Sequence, residues 1–507
     1  LNKRPGELFL SNGFAPRQLQ RKNKLCRKSA FVADVEHGRF LCAGGSFSDL
    51  SERKDMTTCH LKSTIQATVW AAAAALVLSA VPVSAKEPAD SNEPSLEEKV
   101  DILTEEVSRL REQMNIPDTD KELSGVYGMG PAASKVYGVS QGISFGGYGE
   151  FYFAAPYGDT DVTGQVNVTD FYRFIAYFGY KFNDWIVMNT EIEYEHATTS
   201  GNFEGKSGSV SVEFSYLDFL IDPLFNARAG NLLIPMGFVN LLHEPPTYWG
   251  NFRSFVETTI IPSTWREMGV GAHGGKDGVR YSAYVLNGFN ASKFDDTGVR
   301  GGRQKANRAL WEDIGVVGAV DYAFGMTSNG TAQVGLSAFY GGADQGMLET
   351  PDGESFSVTN QIYEAHVEFR KGGFKARALA AASRISNAGP LSEALFGEEN
   401  GTVTRQVPEN QVGWYVEGGY DVAPHLVRQA RFTLTPWVRF EEYNLQNEVS
   451  TVTGLPANPA LDGTILTVGL ESKPHPNVVL KLDLVFPSRG SDDPVSDEIR
   501  LGAGFIY

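Results

Sequence analysis

The sequence predicts an all-β chain, a sixteen-stranded antiparallel transmembrane β-barrel preceded by a short coiled-coil helix. Three observations carry this. From Gly142 to Tyr507, stretches of alternating apolar and other residues recur. Many run to about ten residues or more, the length a tilted strand needs to cross hydrocarbon. Their number is even, and the connections alternate between short and long. Short turns on one side with long loops on the other are the pattern of an outer-membrane barrel; a soluble sandwich has no need of that asymmetry.

The expected strands are 142–154, 168–182, 185–197, 208–221, 225–233, 266–274, 278–289, 313–325, 331–342, 359–371, 374–386, 411–423, 430–444, 463–473, 477–487 and 497–507. Asn183-Asp184, Asp222-Pro223-Leu224, Gly275-Lys276-Asp277, Gly372-Gly373 and Pro474-His475-Pro476 are the tight turns. In the second strand Tyr172, Phe174, Ala176, Phe178 and Tyr180 share one face, with Arg173 and Lys181 on the other. The eleventh and fifteenth strands alternate the same way, placing Lys375, Arg377, Lys481 and Asp483 opposite their apolar faces. Charges belong in the lumen, because a midplane Lys or Arg facing lipid costs about 2–4 kcal/mol. The last strand ends Phe505-Ile506-Tyr507. An alternating strand with a terminal aromatic resembles the signal by which the barrel-assembly machinery recognises its clients.

Composition agrees. The 507 residues are 42% hydrophobic and 21% charged, outside the range of disordered chains. A mean hydropathy of -0.22 excludes a multi-spanning helical membrane protein but not a barrel, whose strands average to neutral. The net charge of -17 argues against nucleic-acid binding.

Residues 1–141 are expected to be non-barrel. Met56, Lys62, the apolar run Ala67–Val81 and Val83-Ser84-Ala85 have the three regions of a secretory signal peptide, giving 56–85 that role with cleavage near Ala85. Residues 1–55 precede it and read as an over-extended, unstructured gene start. In 86–117, a polar lead-in runs into Leu96, Val100, Leu103, Val107, Leu110 and Met114, spaced as a heptad seam. Ser95 and Glu98 form a capping box, and Pro117 ends the helix. Residues 118–141 read as linker, and 142–507 as the barrel.

The longest connection, 234–265, carries His243, Glu244, Trp249, Arg253 and Glu257 among several prolines. Here the sequence resembles the phosphate-selective porin O and P family. The resemblance rests on Arg228-Ala229-Gly230 running into Ile234-Pro235-Met236-Gly237, and on Pro262-Ser263-Thr264-Trp265-Arg266-Glu267. It implies a homotrimer, an outer-membrane location in a Gram-negative bacterium, and a third loop folded inward as a constriction. It also implies passive diffusion of small hydrophilic solutes or ions, with anion or phosphate selectivity.

The expected pore-lining residues are Arg173, Lys181, Glu191, Glu193, Glu195, Arg228, Glu267, Arg280, Lys375, Arg377, Arg431, Arg439 and Lys481, with Arg500, Glu364 and Glu368 pointing the same way. Both signs are present, which sets up a transverse field. For His243, Glu244, Arg253 and Glu257, cation binding competes with simple pairing to the barrel wall, the usual state of buried charges. No cofactor, metal or catalytic set is expected. Cysteine ends at Cys59, and no His-Glu-x-x-His run occurs. A barrel enzyme and an outer-membrane to cell-wall tether stand as the alternatives.

Overall fold

The computed structural model describes residues 125–157, 166–326, 330–398, 402–491 and 495–507. The signal-peptide and coiled-coil segments lie outside the described residues. Sixteen antiparallel strands close on themselves, β1 pairing with both β2 and β16. They are β1 Gly142–Tyr157, β2 Val168–Lys181, β3 Ile186–Glu195, β4 Val210–Asp222, β5 Phe225–Leu233, β6 Arg266–Lys276, β7 Val279–Asn287 and β8 Ile314–Met326. There follow β9 Gly330–Gly342, β10 Thr359–Lys371, β11 Phe374–Ile385, β12 Pro408–Tyr420, β13 Thr433–Val449, β14 Asp462–His475, β15 Val478–Arg489 and β16 Asp497–Ile506.

Alternation sets the two faces. Outside, Phe178, Val320, Leu336, Val416, Val438, Val468, Leu480 and Leu501 are exposed, an apolar belt suited to hydrocarbon. Tyr180, Phe182, Trp185 and Tyr420 stand exposed near the short turns, where amphipathic rings suit a membrane interface. Every outward residue of β15 expected from the sequence is less buried than the inward Val479, Lys481, Asp483 and Val485.

Two local departures have physical causes. The β1–β2 register shifts between Glu150 and Tyr152, leaving Phe171 and Tyr172 opposite Phe151. This bulge re-aims the side chains. Phe171 stacks on Phe151, while Tyr172, expected outward, meets Phe252 inside the barrel at 5.7 Å between ring centroids. The connection between β12 and β13 is longer than expected, because Ala423–Leu426 forms a helical turn. Arg431, expected inward, is therefore exposed in that connection ahead of β13.

The largest buried cluster lies within the barrel. The third loop, 234–265, contributes Ile234, Met236, Val256, Ile260, Ile261 and Trp265, all nearly inaccessible. Trp265 sits between Phe289 and Phe339, at 4.8 and 4.9 Å. Residues 125–141 are also inside, with Met129, Ala132, Ala133 and Val136 buried against the wall. The inside of the barrel is thus a packed core for much of its section.

Placing Val468→Arg on the outer face of β14 should destabilise the folded barrel by about 2–4 kcal/mol. Urea-dependent folding into lipid vesicles, followed by electrophoretic mobility without heating, reads this directly. Stability equal to the unsubstituted chain would mean that this face does not contact hydrocarbon.

Candidate functional site: the loop-filled lumen

A loop inside a barrel leaves water behind, so its backbone carbonyls and amides need partners from the wall. Between Pro246 and Phe252 the carbonyls face cations. Lys473 donates to the Pro246 carbonyl at 2.8 Å and Arg377 to Thr247 at 3.3 Å. Lys481 donates to Tyr248 at 3.1 Å and Gly250 at 2.8 Å. Arg439 donates to Trp249 at 2.8 Å and Phe252 at 3.4 Å. The Asp483 carboxylate accepts from the backbone and side-chain amides of Asn251 at 2.6 and 2.9 Å. Gly250 adopts a positive φ of 85°, and a β-carbon there would crowd the Trp437 ring. Trp249 stacks on Trp437 at 6.2 Å, and the Lys375 ammonium lies 5.4 Å from the Trp249 ring.

Further along, the Glu257 carboxylate accepts from the Tyr415 hydroxyl at 2.6 Å and the Val239 amide at 2.9 Å. Burial pushes its pKa up to about 6. Glu441 on β13 accepts from the Val256 amide. The fourth loop, 288–313, closes over the third: Arg300 donates to the Thr258 and Ser263 carbonyls, and Arg303 to Pro262 and Thr264. Glu267 holds this junction, accepting from Asn287 at 2.7 Å and the Gln304 amide at 2.8 Å.

Most of the expected wall charges other than Arg431 are inside and paired. Arg173 meets Glu150 at 2.9 Å and Glu193 at 3.7 Å. Arg228 meets Asp218 at 2.7 Å, and the other oxygen of Asp218 pairs with His273. Arg377 pairs with Glu368, and Arg439 with Glu417 at 2.8 Å. Lys375 reaches Glu368 at 3.6 Å. Glu364 accepts from Ser337 at 2.6 Å and lies 2.7 Å from His366. Arg500 pairs with Glu498 and lies over the Phe252 ring. Glu195 accepts from Ser209. Lys181 is half-buried at the turn end of β2, and Arg280 is exposed at 3.7 Å from Asp321.

Residues 125–141, read from sequence as the end of a linker, meet the loop through Glu244. Its carboxylate accepts from the amides of Ala132 and Ala133 at 3.0 Å. Asn189 donates to the Ala133 carbonyl, and the Tyr137 hydroxyl to Asp218 at 2.7 Å. Glu244 is almost fully buried, which raises its pKa against the pull of those amides. Gly138-Val139-Ser140-Gln141-Gly142 has the Gly-x-Ser-x-Gly spacing of a nucleophile elbow. That motif needs a strand leading into a helix; here a helical turn, Lys135–Gly138, leads into β1, and Ser140 is exposed.

His243 is buried at 2% exposure, and burial lowers its pKa to about 4. Its Nδ1 lies 3.0 Å from the Asn240 carbonyl, and its Nε2 lies 3.4 Å from Glu191. Arg253 is half-buried beside these groups, with its Nε and Nη2 atoms buried and without hydrogen-bond partners.

Two recesses flank the loop. One, about 850 Å³, opens among the short turns and is bordered by Pro235, Gly237 and Phe238 of the loop. Its charged lining is Asp184, Asp222, Asp321 and Glu364 against Lys276 and Arg280, with His273 and His366. The other, about 580 Å³, lies toward the long loops, lined by Arg266, Arg300, Arg303 and Lys305 against Glu193 and Glu195. The sequence reading missed Glu150, Glu213, Asp218, Glu417 and Glu441. Glu150, Asp218, Glu417 and Glu441 are inward carboxylates at the strand period, a signal available from alternation alone, whereas Glu213 turns inward as the extra residue of a bulge between the Glu191–Phe214 and Ile192–Val212 pairs.

No family model matches the chain. Among solved structures it is similar to OmpF of Salmonella typhi in complex with daunomycin, at 13% identity, covering 73% of this chain and 98% of that one, with a TM-score of 0.47. It is also similar to the outer membrane channel DcaP of Acinetobacter baumannii, at 12% identity, 72% and 97% coverage and a TM-score of 0.45. An anion-selective porin from Comamonas acidovorans matches at 9% identity, 72% and 99% coverage and a TM-score of 0.44. An uncharacterized protein of Aquifex aeolicus (strain VF5) is 34% identical over 381 residues, 74% of this chain and 82% of the relative. At that identity and coverage, the chain belongs to one family with the Aquifex aeolicus protein.

Proposed function

We propose that the chain is an outer-membrane porin passing small hydrophilic solutes or ions by diffusion, with no reaction catalysed. The observation that carries this reading is the closed barrel with an apolar belt outside and a wall-anchored third loop inside. In this reading a signal peptide ending near Ala85 exports the chain of a Gram-negative bacterium. The last strand, with Phe505 and Tyr507, addresses it to the barrel-assembly machinery, and three barrels associate in the membrane.

Selectivity follows from the recesses. The long-loop recess has four basic residues against two acidic ones, and the short-turn recess four acidic against two basic and two histidines, His366 pairing with Asp321 and Glu364. One end favours anions and the other cations, so the path discriminates weakly as a whole and conducts unequally in the two directions. The anion or phosphate preference implied by the family resemblance would reside in the Arg266, Arg300, Arg303 and Lys305 cluster. Arg377, Arg439 and Lys481 do not line this recess and hold the Thr247, Trp249 and Gly250 carbonyls.

Residues 125–138 act as the gate in this reading. They fill the short-turn side of the lumen and are pinned to the constriction loop through Glu244.

Two outcomes test the proposal. In planar bilayers the protein should insert with conductance steps in threes and a current that rectifies. Correctly folded protein that never conducts would end the porin reading; a linear current–voltage curve would end the opposed-field account. Glu244→Ala removes the acceptor of two buried amides, a loss of about 1–3 kcal/mol. The ratio of open to closed time should therefore rise by about 5- to 150-fold. Unchanged open time would remove residues 125–138 from gating.

A further inference from the structure

Glu191 on β3, Glu213 on β4 and His243 on the third loop converge on one buried point. One ligating atom from each lies within 4.8 Å of the other two. Glu191 and Glu213 are inaccessible, and His243 is 2% exposed. Glu191 and Glu213 each keep one oxygen, Oε2, buried with no hydrogen-bond partner. The Tyr148 hydroxyl is buried and unpartnered as well, with its ring 6.1 Å from the His243 ring. Three orphaned oxygens around one imidazole are costly unless something joins them.

The imidazole is also oriented. Nδ1 faces the Asn240 carbonyl at 3.0 Å, so Nδ1 carries the proton and donates. That leaves the Nε2 lone pair directed at Glu191 Oε1, 3.4 Å away. Two lone pairs facing each other at that distance call for a positive centre between them. A metal-binding histidine is held in the same way, its second nitrogen donating to a backbone carbonyl.

We propose that Glu191, Glu213 and His243 bind one divalent first-row transition cation, with the Tyr148 hydroxyl at its edge. Imidazole with two carboxylates is a borderline donor set suited to Zn²⁺ or Mn²⁺ and poorly suited to Ca²⁺. The charges facing the site are Arg253 and Arg266, with Arg173, Glu150 and Glu193 beyond. With Glu244 also acting on Glu191, five carboxylates and three guanidinium groups share this region, so the cation enters a set with an excess negative charge.

The position gives the ion a mechanical role. It joins two neighbouring wall strands to the loop residue next to Glu244, which holds the 125–138 segment. The inference does not depend on the chain being a channel.

The test is metal content. Folded protein is stripped with chelator in detergent, incubated with Zn²⁺ or with Mn²⁺, freed of excess metal by gel filtration and assayed by mass spectrometry. The unsubstituted chain should retain one ion and gain thermal stability on loading. Glu213→Gln and His243→Gln, verified as folded by unheated electrophoretic mobility, should lose affinity by about 10-fold or more. An unsubstituted chain that retains neither metal would overturn the proposal, leaving a shared proton or water at the cluster. Retention undiminished in both folded variants would overturn it equally, by placing the ion elsewhere.

Discussion

The structure depends on wall cations binding the carbonyls of the third loop. Six carbonyls between Pro246 and Phe252 accept from Arg377, Arg439, Lys473 and Lys481. A buried peptide carbonyl without a partner is costly, and a charged donor supplies a stronger bond than a neutral one. The cations need the loop just as much. A Lys or Arg in a lumen filled with apolar side chains would otherwise lack both water and a counter-charge. Each therefore also faces a carboxylate, such as Glu417 for Arg439 and Glu471 for Lys473.

This constraint orders the rest. With one side of the loop held by β11, β13, β14 and β15, Ile260 lies against Gly413 of β12 and Trp265 packs against Phe289 of the fourth loop and Phe339 of β9. His243 and Glu244 are carried to the opposite wall. There the two neighbours diverge, His243 toward β3 and β4, and Glu244 toward the amides of residues 132 and 133. A single loop thus links the wall, the segment ahead of β1 and the two recesses.

Much of the fold was readable because a barrel strand has a short period and two different solvents. Charge and apolarity separate residue by residue, as in Lys481 and Asp483 against Leu480, Leu482 and Leu484. All sixteen strands were legible on that basis, as was the distinction between turns and loops. The bulge at Phe171 and Tyr172 was not, since it adds a residue without changing composition. The site was harder. Alternation can place Arg377 and Arg439 inward, but it cannot say that their partners are carbonyls of a loop more than a hundred residues away. Glu213 lies in a strand whose inward face is mainly aromatic, with Phe214 and Tyr216 beside it, so its carboxylate gave no repeating charge signal. Residues 125–141 are rich in small residues, which reads as linker. Those small residues are what let the segment fit against the wall, as at Gly130, where a β-carbon would meet Glu244.

The central claim is that the third loop is seated against the wall through these contacts. Asn251 and Gly502 test it directly, because a β-carbon on Gly502 would overlap the Asn251 side-chain oxygen and lie 3.1 Å from its Cγ, the place a cysteine sulfur at 251 would take. With Asn251→Cys and Gly502→Cys together, the folded protein in air-saturated buffer should form a disulfide between loop and β16, dissolved oxygen accepting the two electrons and two protons released. A peptide map compared before and after reduction would show the linked peptide in nearly all molecules. Free thiols at both positions in folded barrels would contradict the account, because the loop would then stand away from the wall.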